Sequence, residues 1–237
     1  AEDKAGNKTS LPIYYSLVNK DYRERPIGVS EEFVLKKMVP LLSGEDLSDS
    51  NIKEIFLKVN NEMRTDNNNK IYEITSISSD KKHWSGVFTQ LSKSKVEANF
   101  ADKRNYKLDG EVIDTQYHFG YDLSVTKRYP VEASNSGKIV FAGELGIYGN
   151  TVIIDHGLGI MSLYSHLSLI SVKKDDLVSK DQIIGNTGVT GLAVGDHLHF
   201  GIYIHGVPVR PLEWWDASWI KKNITNKIEN LKLEKSS

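Results

Sequence analysis

The sequence contains no cysteine among its 237 residues. Disulfide bonds, cysteine nucleophiles and thiolate metal sites are therefore excluded, and any transition metal must be held by histidine, aspartate or glutamate. The formal net charge is only −1, so the chain lacks the basic field that is typical of nucleic-acid-binding proteins. We therefore expect no nucleic-acid partner.

No uninterrupted apolar run reaches membrane-spanning length, and no signal peptide is visible. The chain opens with Ala1 instead of methionine, so we expect it to be part of a longer protein whose missing N-terminus supplies an anchor or a signal. Membrane contact is expected only through that missing segment. The absence of cysteine fits a location outside the cytoplasm but does not establish one.

The composition is that of an ordinary globular protein, with 39% apolar and 26% charged residues. A chain of this length can bury one substantial core and has room for a smaller second module. Three segments flank or precede that core in the predicted organisation: residues 1–19, residues 20–98 and residues 217–237.

Residues 1–19 contain an alternation of apolar side chains at Leu11, Ile13, Tyr15 and Leu17, which predicts one strand. The opening, Ala-x-Asp-x-Ala-Gly-Asn, resembles the closing strand of immunoglobulin-like repeat domains in bacterial surface proteins. Two interpretations stay open. The segment is either the remnant of an upstream Ig-like domain or a single strand added to the main sheet.

Residues 20–98 show the apolar spacing of helices, and we interpret them as a mostly helical accessory module that packs against the main domain as a spacer. Within them we find no cluster of titratable residues that suggests chemistry. The predicted elements are a helix capped by Ser30 and ended by Pro40, a second helix capped by Ser50 and stopped by Asp66–Lys70, a strand over Ile71–Ile77, and a third helix around Trp84–Leu91.

Residues 99–216 have a different texture. Twelve of the eighteen glycines fall between residues 133 and 206, where they separate short apolar runs. Short strands with glycine turns predict a mainly β domain with an antiparallel sheet. The predicted strands are Lys138–Ala142, Thr151–Asp155, Met161–Tyr164, Gln182–Ile184 and His199–Ile204. Residues 217–237 follow as a lysine-rich, weakly helical tail.

His197 and His199 stand two residues apart in an apolar run that follows a glycine-rich loop. Alternate side chains of a β-strand leave the same face, so both imidazoles are expected to point into one space. Taken alone, the pair fits a metal or proton-transfer site, and it fits equally two surface histidines on an exposed strand face. Further potential ligands are His118 with Asp122, His166 at the end of a strand-like run, and Asp155 with His156 at the end of another.

Catalytic zinc commonly takes three nitrogen or oxygen ligands from the protein, and the absence of His-Glu-x-x-His excludes the helical zinc-protease arrangement. The motifs that are present are, in order, His118-x-x-x-Asp122, Val140-Phe141-Ala142-Gly143, Tyr148-Gly149-Asn150-Thr151-Val152, Ile154-Asp155-His156-Gly157, Tyr164-Ser165-His166-Leu167, Gly188-Val189-Thr190-Gly191 and His197-Leu198-His199-Phe200. With this set, residues 99–216 closely resemble the lysostaphin/LytM-type zinc endopeptidases. Each motif is weak alone, and their conjunction in one order is specific.

The resemblance implies that His118, Asp122 and His199 hold one Zn²⁺ ion. It makes His166 and His197 the catalytic pair, which orients water and transfers protons without binding the metal. The implied activity is that of a zinc metallo-endopeptidase that hydrolyses stem-peptide cross-links or cross-bridges of bacterial peptidoglycan. Glycine-containing bridges and D-amino-acid linkages both fit, and the expected location is the cell envelope, on its periplasmic or extracellular side.

Two other functions stay open. Some members of this family have lost their ligands and act as non-catalytic regulators of other wall hydrolases, but this chain keeps all five residues. An adhesion or scaffold role rests only on the Ig-like remnant. For the enzyme, we expect the loops around Leu145–Asn150 and Thr187–Asp196 to wall a substrate groove. A further hypothesis is that residues 20–98 cover this groove and keep the enzyme latent.

Several other residues in the motifs have structural interpretations. We expect His156 to be structural, at a turn after a strand. Tyr148 and Asn150 either line the groove or serve the turn that contains them. Trp214 and Trp215 are expected to cover the edge of the core and not to bind a ligand.

Overall fold

The computed structural model describes residues 5–8 and 21–227. The strand expected at Leu11, Ile13, Tyr15 and Leu17 lies outside the described residues, as does the part of the predicted tail beyond residue 227. None of the helices in the described ranges has the length and apolarity needed to cross a membrane.

A large antiparallel sheet forms the centre of the molecule. The strands of the described residues are β1 (Glu24–Gly28), β2 (Lys95–Ala98), β3 (Lys103–Leu108), β4 (Glu111–Tyr117), β5 (Tyr121–Ser124), β6 (Pro130–Glu132), β7 (Gly137–Glu144), β8 (Asn150–Gly157), β9 (Ile160–Leu167), β10 (Leu169–Ile170), β11 (Leu177–Val178), β12 (Ile183–Asn186), β13 (Leu198–Ile204) and β14 (Val207–Val209). The central sheet has the order β11-β7-β8-β9-β13-β5-β2, and β14 joins it beside β13. All of its pairs are antiparallel, which confirms the expected fold class.

Two three-stranded sheets flank the central one. The first has the order β1-β3-β4, and the second has the order β10-β12-β6. Strand β1, which comes from the predicted accessory module, pairs with β3 in parallel register. The chain before residue 99 therefore contributes two strands, β1 and β2, as well as helices.

The five strands predicted in the glycine-rich region are confirmed. They correspond to β7, β8, β9, β12 and β13, with ends that differ from the predicted ones by at most three residues. These strands are defined by short apolar runs between glycine turns, so the sequence signal needs no distant partner.

The first helical segment begins where it was predicted. Helix α1 (Glu31–Phe33) is capped by Ser30, whose hydroxyl oxygen accepts a hydrogen bond from the Phe33 backbone N–H at 3.2 Å. The segment then continues as a π-helical turn (Val34–Met38) and a 3₁₀ turn (Val39–Leu42). The prediction that Pro40 ends the segment is wrong. Proline has no backbone N–H, and the first residues of a helical turn need none, so Pro40 fits at the start of the 3₁₀ turn.

The second helix is longer than predicted. Helix α2 (Ile52–Leu57), a π-helical turn (Lys58–Met63) and α3 (Arg64–Thr75) follow one another without a break, and we call them together the long helix. Its cap is Asn51 and not Ser50, since Asn51 forms a reciprocal capping box with Glu54. The predicted stop at Asp66–Lys70 and the predicted strand over Ile71–Ile77 are both wrong, because the helix continues to Thr75.

The prediction of a third helix is also wrong. The stretch Trp84–Leu91 has no helical turns, although Trp84, Phe88 and Leu91 are all buried. Phe88 packs edge-on against Trp214 at 5.4 Å between ring centroids, so these apolar residues serve the core from an irregular segment. Two short helices, α4 (Pro211–Trp214) and α5 (Ala217–Ile220), close the domain, and a π-helical turn (Lys221–Thr225) follows α5.

Both faces of the central sheet are buried. One face, with Trp84, Phe88, Ile154, Phe200 and Trp214, forms what we call the tryptophan-side core. The other face forms the helix-side core, which joins sheet residues to residues of the π-helical turn Val34–Met38 and of the long helix. Its members include Val34, Met38, Phe56, Val59, Ile71, Ile153, Met161 and Leu163. Each of the two cores therefore contains residues from both sides of the predicted boundary at 98/99.

Candidate active site

Three side chains converge at one end of the central sheet. Asp122 on β5 lies directly opposite His199 on β13 in the antiparallel register, and His118 lies in the turn that leads into β5. His118 Nε2 is 2.9 Å from Asp122 Oδ1 and 3.0 Å from His199 Nδ1, and the last two atoms are 3.0 Å apart. Gly120 permits this approach, because a Cβ there would lie 2.7 Å from the His199 ring.

The donor set fits a zinc ion. His118 Nδ1 donates a hydrogen bond to the Asn99 carbonyl oxygen at 2.9 Å, so the Nε2 lone pair of the neutral ring faces the cluster. His199 Nε2 is buried without a hydrogen-bond partner among the described residues, and Nδ1 is the nitrogen that reaches the cluster. Tetrahedral zinc with bonds of about 2.0–2.1 Å places its ligand atoms about 3.3 Å apart, close to the spacing of these three atoms.

Electrostatics keep His199 and Asp122 in the forms that bind metal. Burial lowers the pKa of His199 to about 4, so its ring is neutral at pH 7. Burial alone would raise the pKa of Asp122, but the surrounding histidines hold that pKa well below its usual value. A neutral imidazole and an ionised carboxylate are the forms that coordinate a divalent cation.

His166 and His197 lie beside the cluster, with ring centroids 4.9 Å apart. His166 Nδ1 donates to the Thr190 carbonyl oxygen at 2.9 Å, and His197 Nδ1 donates to the Gly195 carbonyl oxygen at 2.8 Å. These bonds leave Nε2 of each neutral ring as the proton acceptor. His197 Nε2 lies 3.6 Å from the Asp122 carboxylate.

The two histidines of this pair differ in their surroundings. Burial lowers the pKa of His166 well below its usual value, and the neighbouring histidines lower it further. Burial also acts to lower the pKa of His197, but the Asp122 carboxylate outweighs it and raises that pKa. His166 sits at φ 63°, a left-handed conformation that is strained for a side chain with a Cβ.

With the geometry of the five residues in place, comparison with known proteins identifies the fold. Residues 116–211 match the family model described as Peptidase family M23. The chain contains an M23 peptidase domain. It is 42% identical over 107 residues to the DD-carboxypeptidase/endopeptidase Mpg of Neisseria meningitidis serogroup B, a match that covers 45% of this chain and 25% of that protein.

Two further matches agree. The chain is 36% identical over 122 residues to the peptidoglycan DD-endopeptidase ShyA of Vibrio cholerae, covering 52% of this chain and 28% of that protein. A crystal structure of an M23 peptidase from Pseudomonas aeruginosa shares the fold, with a TM-score of 0.53 and 24% identity over 74% of this chain and 64% of that one. The chain spans only about a quarter of the length of the two sequence relatives.

Arg104 is a residue of the site that the sequence reasoning missed. Its Nη2 donates to Asp122 Oδ2 at 2.8 Å from strand β3, while Oδ1 of the same carboxylate faces the histidines. The ion pair fixes which oxygen is turned toward the cluster. Nothing in the local sequence marks Arg104, because its partner lies 18 residues away and most arginines of such a chain are solvated.

Tyr148 lies inside the site, whereas Asn150 serves the backbone around it. The Tyr148 ring is 5.6 Å from that of His199 between centroids, and burial raises the pKa of its hydroxyl. That hydroxyl donates to Asn68 Oδ1 of the long helix at 2.8 Å. Asn150 Nδ2 donates to the Leu167 carbonyl oxygen at 3.1 Å and holds β8 to the end of β9.

The residues expected to be structural are buried in the tryptophan-side core or at its edge. His156 is fully buried in β8, where its Nδ1 donates to the Ser136 carbonyl oxygen at 2.8 Å and its Nε2 contacts the Ser162 hydroxyl at 2.7 Å. Trp214 packs inside this core, and Trp215 stacks on Phe200 at 5.6 Å between ring centroids.

A cavity of about 530 Å³ opens over the five residues. Loops at Ile147–Tyr148 and Leu192–Asp196 wall it, as was expected of the segments Leu145–Asn150 and Thr187–Asp196. The chain before residue 99 also lines the cavity. Its contributors are Arg25, Ile27, Gly28, Val29, Phe33, Met38, Phe56, Asn60, Arg64, Asn68, Glu97 and Ala98.

Proposed function

We propose that this protein is a zinc-dependent endopeptidase that hydrolyses peptide cross-links of bacterial peptidoglycan. The observation that carries the proposal is the convergence of His118, Asp122 and His199 within 3.0 Å, next to the His166–His197 pair. The names of the sequence relatives, which include a peptidoglycan DD-endopeptidase, support the choice of substrate.

His118 Nε2, Asp122 Oδ1 and His199 Nδ1 would hold the metal. When bound, zinc supplies Lewis acidity, which polarises a peptide carbonyl and makes water acidic enough to attack at neutral pH. Arg104 holds the second oxygen of Asp122, and the Asn99 carbonyl oxygen holds the ring of His118. These outer contacts orient the ligands before the metal arrives.

His166 and His197 would do the proton work. Since their Nδ1 atoms are engaged by carbonyl oxygens, each ring can accept a proton at Nε2. This pair takes the proton of the attacking water, donates a hydrogen bond to the developing oxyanion and protonates the leaving amine. No carboxylate of an His-Glu-x-x-His motif is present in the sequence to take that role.

The substrate would lie in the cavity over the five residues, extended between the loops at Ile147–Tyr148 and Leu192–Asp196. A peptidoglycan substrate places the working enzyme in the cell envelope, on its periplasmic or extracellular side. The retained ligand set argues against the regulator alternative, because a binding module has no need of three converging metal ligands and two free imidazoles.

The decisive experiment measures bound zinc and the amines released from purified peptidoglycan. Wild type is compared with His118→Ala, which removes a ligand, and with His197→Ala, which removes a proton carrier. His205→Ala is the matched control, because His205 is exposed in the turn between β13 and β14. We expect zinc loss and inactivity for the first variant, retained zinc and inactivity for the second, and no change for the control. A wild type without zinc that releases nothing above the variants would refute the proposal.

A further inference from the structure

The long helix presents a polar stripe to the cavity. Asn60, Arg64 and Asn68 recur at intervals of four residues and all three line the cavity. Residues four apart lie on one face of a helix, so the stripe is a built feature of that face. The apolar residues of the same helix, such as Phe56 and Ile71, are buried in the helix-side core.

Arg64 carries a positive charge that no carboxylate neutralises. Its Nε donates to the Asn60 carbonyl oxygen at 2.9 Å and its Nη2 donates to Asn60 Oδ1 at 2.6 Å, and both acceptors are neutral. In the part of the chain that the structure describes, no acidic side chain forms an ion pair with it. Two of its five N–H donors are used, and three remain.

The guanidinium group of Arg64 is held in position. Asn60 is 1% exposed, and its Nδ2 donates to Asp114 Oδ2 at 2.7 Å. This bond holds in place the side-chain amide that accepts the hydrogen bond of Arg64. The other arginine of the cavity close to the metal cluster, Arg104, is already paired with Asp122. Arg64 is therefore a cation whose guanidinium group is already oriented and still has unused N–H donors.

One side chain, that of Tyr148, separates the polar stripe from the cluster of His118, Asp122 and His199. Asn68 accepts the hydrogen bond of Tyr148, whose ring contacts His199, and the charges of Arg64 and Arg104 both act on the Tyr148 hydroxyl. A peptide that reaches the cluster along this side of the cavity passes Arg64. The other acidic residues that line the cavity are already engaged: Asp196 accepts bonds from Thr187 and from the Arg128 backbone N–H, and Glu97 pairs with Lys95.

We propose that Arg64 is a specificity-determining residue that binds a free carboxylate of the substrate peptide next to the bond that is cut. The inference rests on the proposed peptidase function. Guanidinium and carboxylate groups pair through two parallel hydrogen bonds, which suits the unused donors of Arg64. An acidic peptide satisfies this charge, whereas a bridge made only of glycine offers no side-chain carboxylate. The long helix is thus part of the substrate site and not a cover over it.

Two synthetic cross-link peptides test the proposal. They share a D-alanyl scissile bond and differ only in the group on the neighbouring residue, which is a carboxylate in one and a carboxamide in the other. The enzymes are wild type, Arg64→Gln, Arg64→Lys and the control Lys70→Gln, which removes a positive charge from an exposed position of the same helix. kcat and KM are measured for each enzyme with each peptide.

We expect wild type and Lys70→Gln to prefer the carboxylate peptide. Arg64→Gln should lose about 10- to 100-fold in kcat/KM on that peptide, mainly through KM, and little on the carboxamide. Arg64→Lys should recover part of the loss, since it keeps the charge without the fork. Equal losses on both peptides, or no loss, would overturn the proposal. A gain in activity would also overturn it and would identify the helix as a cover.

Binding of the same two peptides, measured by calorimetry, separates this inference from the peptidase function. If wild type cleaves neither peptide but binds the carboxylate form, and Arg64→Gln loses that binding, the inference stands and the proposed function fails. If wild type cleaves both equally well and binds both equally, the function stands and the inference fails. Equal binding without cleavage overturns both.

Discussion

The strands of the M23 domain and the helices that precede it line the same cavity, but they position polar groups by different means. In the sheet, His199 faces Asp122 because the two residues are register partners on β13 and β5. A slip of one residue would turn every side chain of the strand to the other face, so packing of the sheet enforces the site. In the long helix, Asn60, Arg64 and Asn68 share a face through their spacing alone.

This difference assigns separate tasks to the two regions. The proposed metal ligands and proton carriers lie on the sheet or on turns at its edge, where backbone pairing restricts movement to a small range. The helix contributes neutral amides and one unpaired cation, which suit recognition of a peptide. Chemistry placed on a shared sheet and selectivity placed on an added helix can change independently of each other, provided that the core between them holds.

The first test weakens the core that the two regions share. Phe56 is fully buried on the helix-side core, and Phe56→Ala should cost about 3–5 kcal/mol of the free energy of unfolding. All four tryptophans lie on the other face, in or against the tryptophan-side core. We expect urea denaturation followed by tryptophan fluorescence to show one transition, shifted to lower urea. An unshifted tryptophan transition would mean that the helices unfold separately and are only a spacer.

The second test applies to the sheet alone and uses pH. Burial lowers the pKa of His156 to about 4, against 6.5 for the free side chain. As the pH falls from 6.5 to 4 the unfolded chain gains a proton that the folded chain does not, so the stability conferred by this group is lost in that window. The loss should reach roughly 3 kcal/mol. Urea denaturation of wild type and His156→Gln at a series of pH values measures it. Parallel pH profiles for the two proteins would contradict the assignment.

The third test addresses the junction between the regions, where Arg104 of β3 holds Asp122. Arg104→Gln should weaken zinc affinity by about 10- to 100-fold, because the carboxylate loses the partner that orients it. Arg104→Lys should lose less, since it keeps the charge. Lys138→Gln is the control, as Lys138 pairs with Asp175 outside the cavity. Competition with a chelator of known affinity gives the zinc dissociation constant, and an unchanged value for Arg104→Gln would make that ion pair merely structural.

The sheet was predictable from the sequence because its signals are local. Short apolar runs between glycine turns gave the strands without knowledge of their neighbours. The convergence of His118, Asp122 and His199 was expected only from the resemblance, since the residues themselves left surface histidines as an equal alternative. The structure brings all five residues together, and their separate roles as ligands and proton carriers stay predictions, as does the domain boundary at 98/99.

The helices were predicted less well because distant contacts decide them. The tract Asp66–Lys70 has low helix propensity, yet the helix continues. Asn67 Oδ1 accepts the Ile147 backbone N–H at 2.8 Å, and Asn68 Oδ1 accepts the Tyr148 hydroxyl at 2.8 Å, both from 80 residues away. No local pattern could reveal those partners. The stripe that contains Arg64 was missed because the predicted stop at Asp66–Lys70 placed Asn68 outside the helix.

The smallest test examines the start of the long helix, where the sequence placed the cap one residue too early. Asn51→Ala should destabilise the protein by about 1 kcal/mol, because the Glu54 backbone N–H loses its acceptor and the capping box is broken. Ser50→Ala should change the free energy of unfolding by less than about 0.5 kcal/mol. Urea denaturation of the two variants decides between the caps. Since the helix shares a core with the sheet, the loss in Asn51→Ala should appear in the tryptophan signal too, although every tryptophan lies across the sheet from this cap.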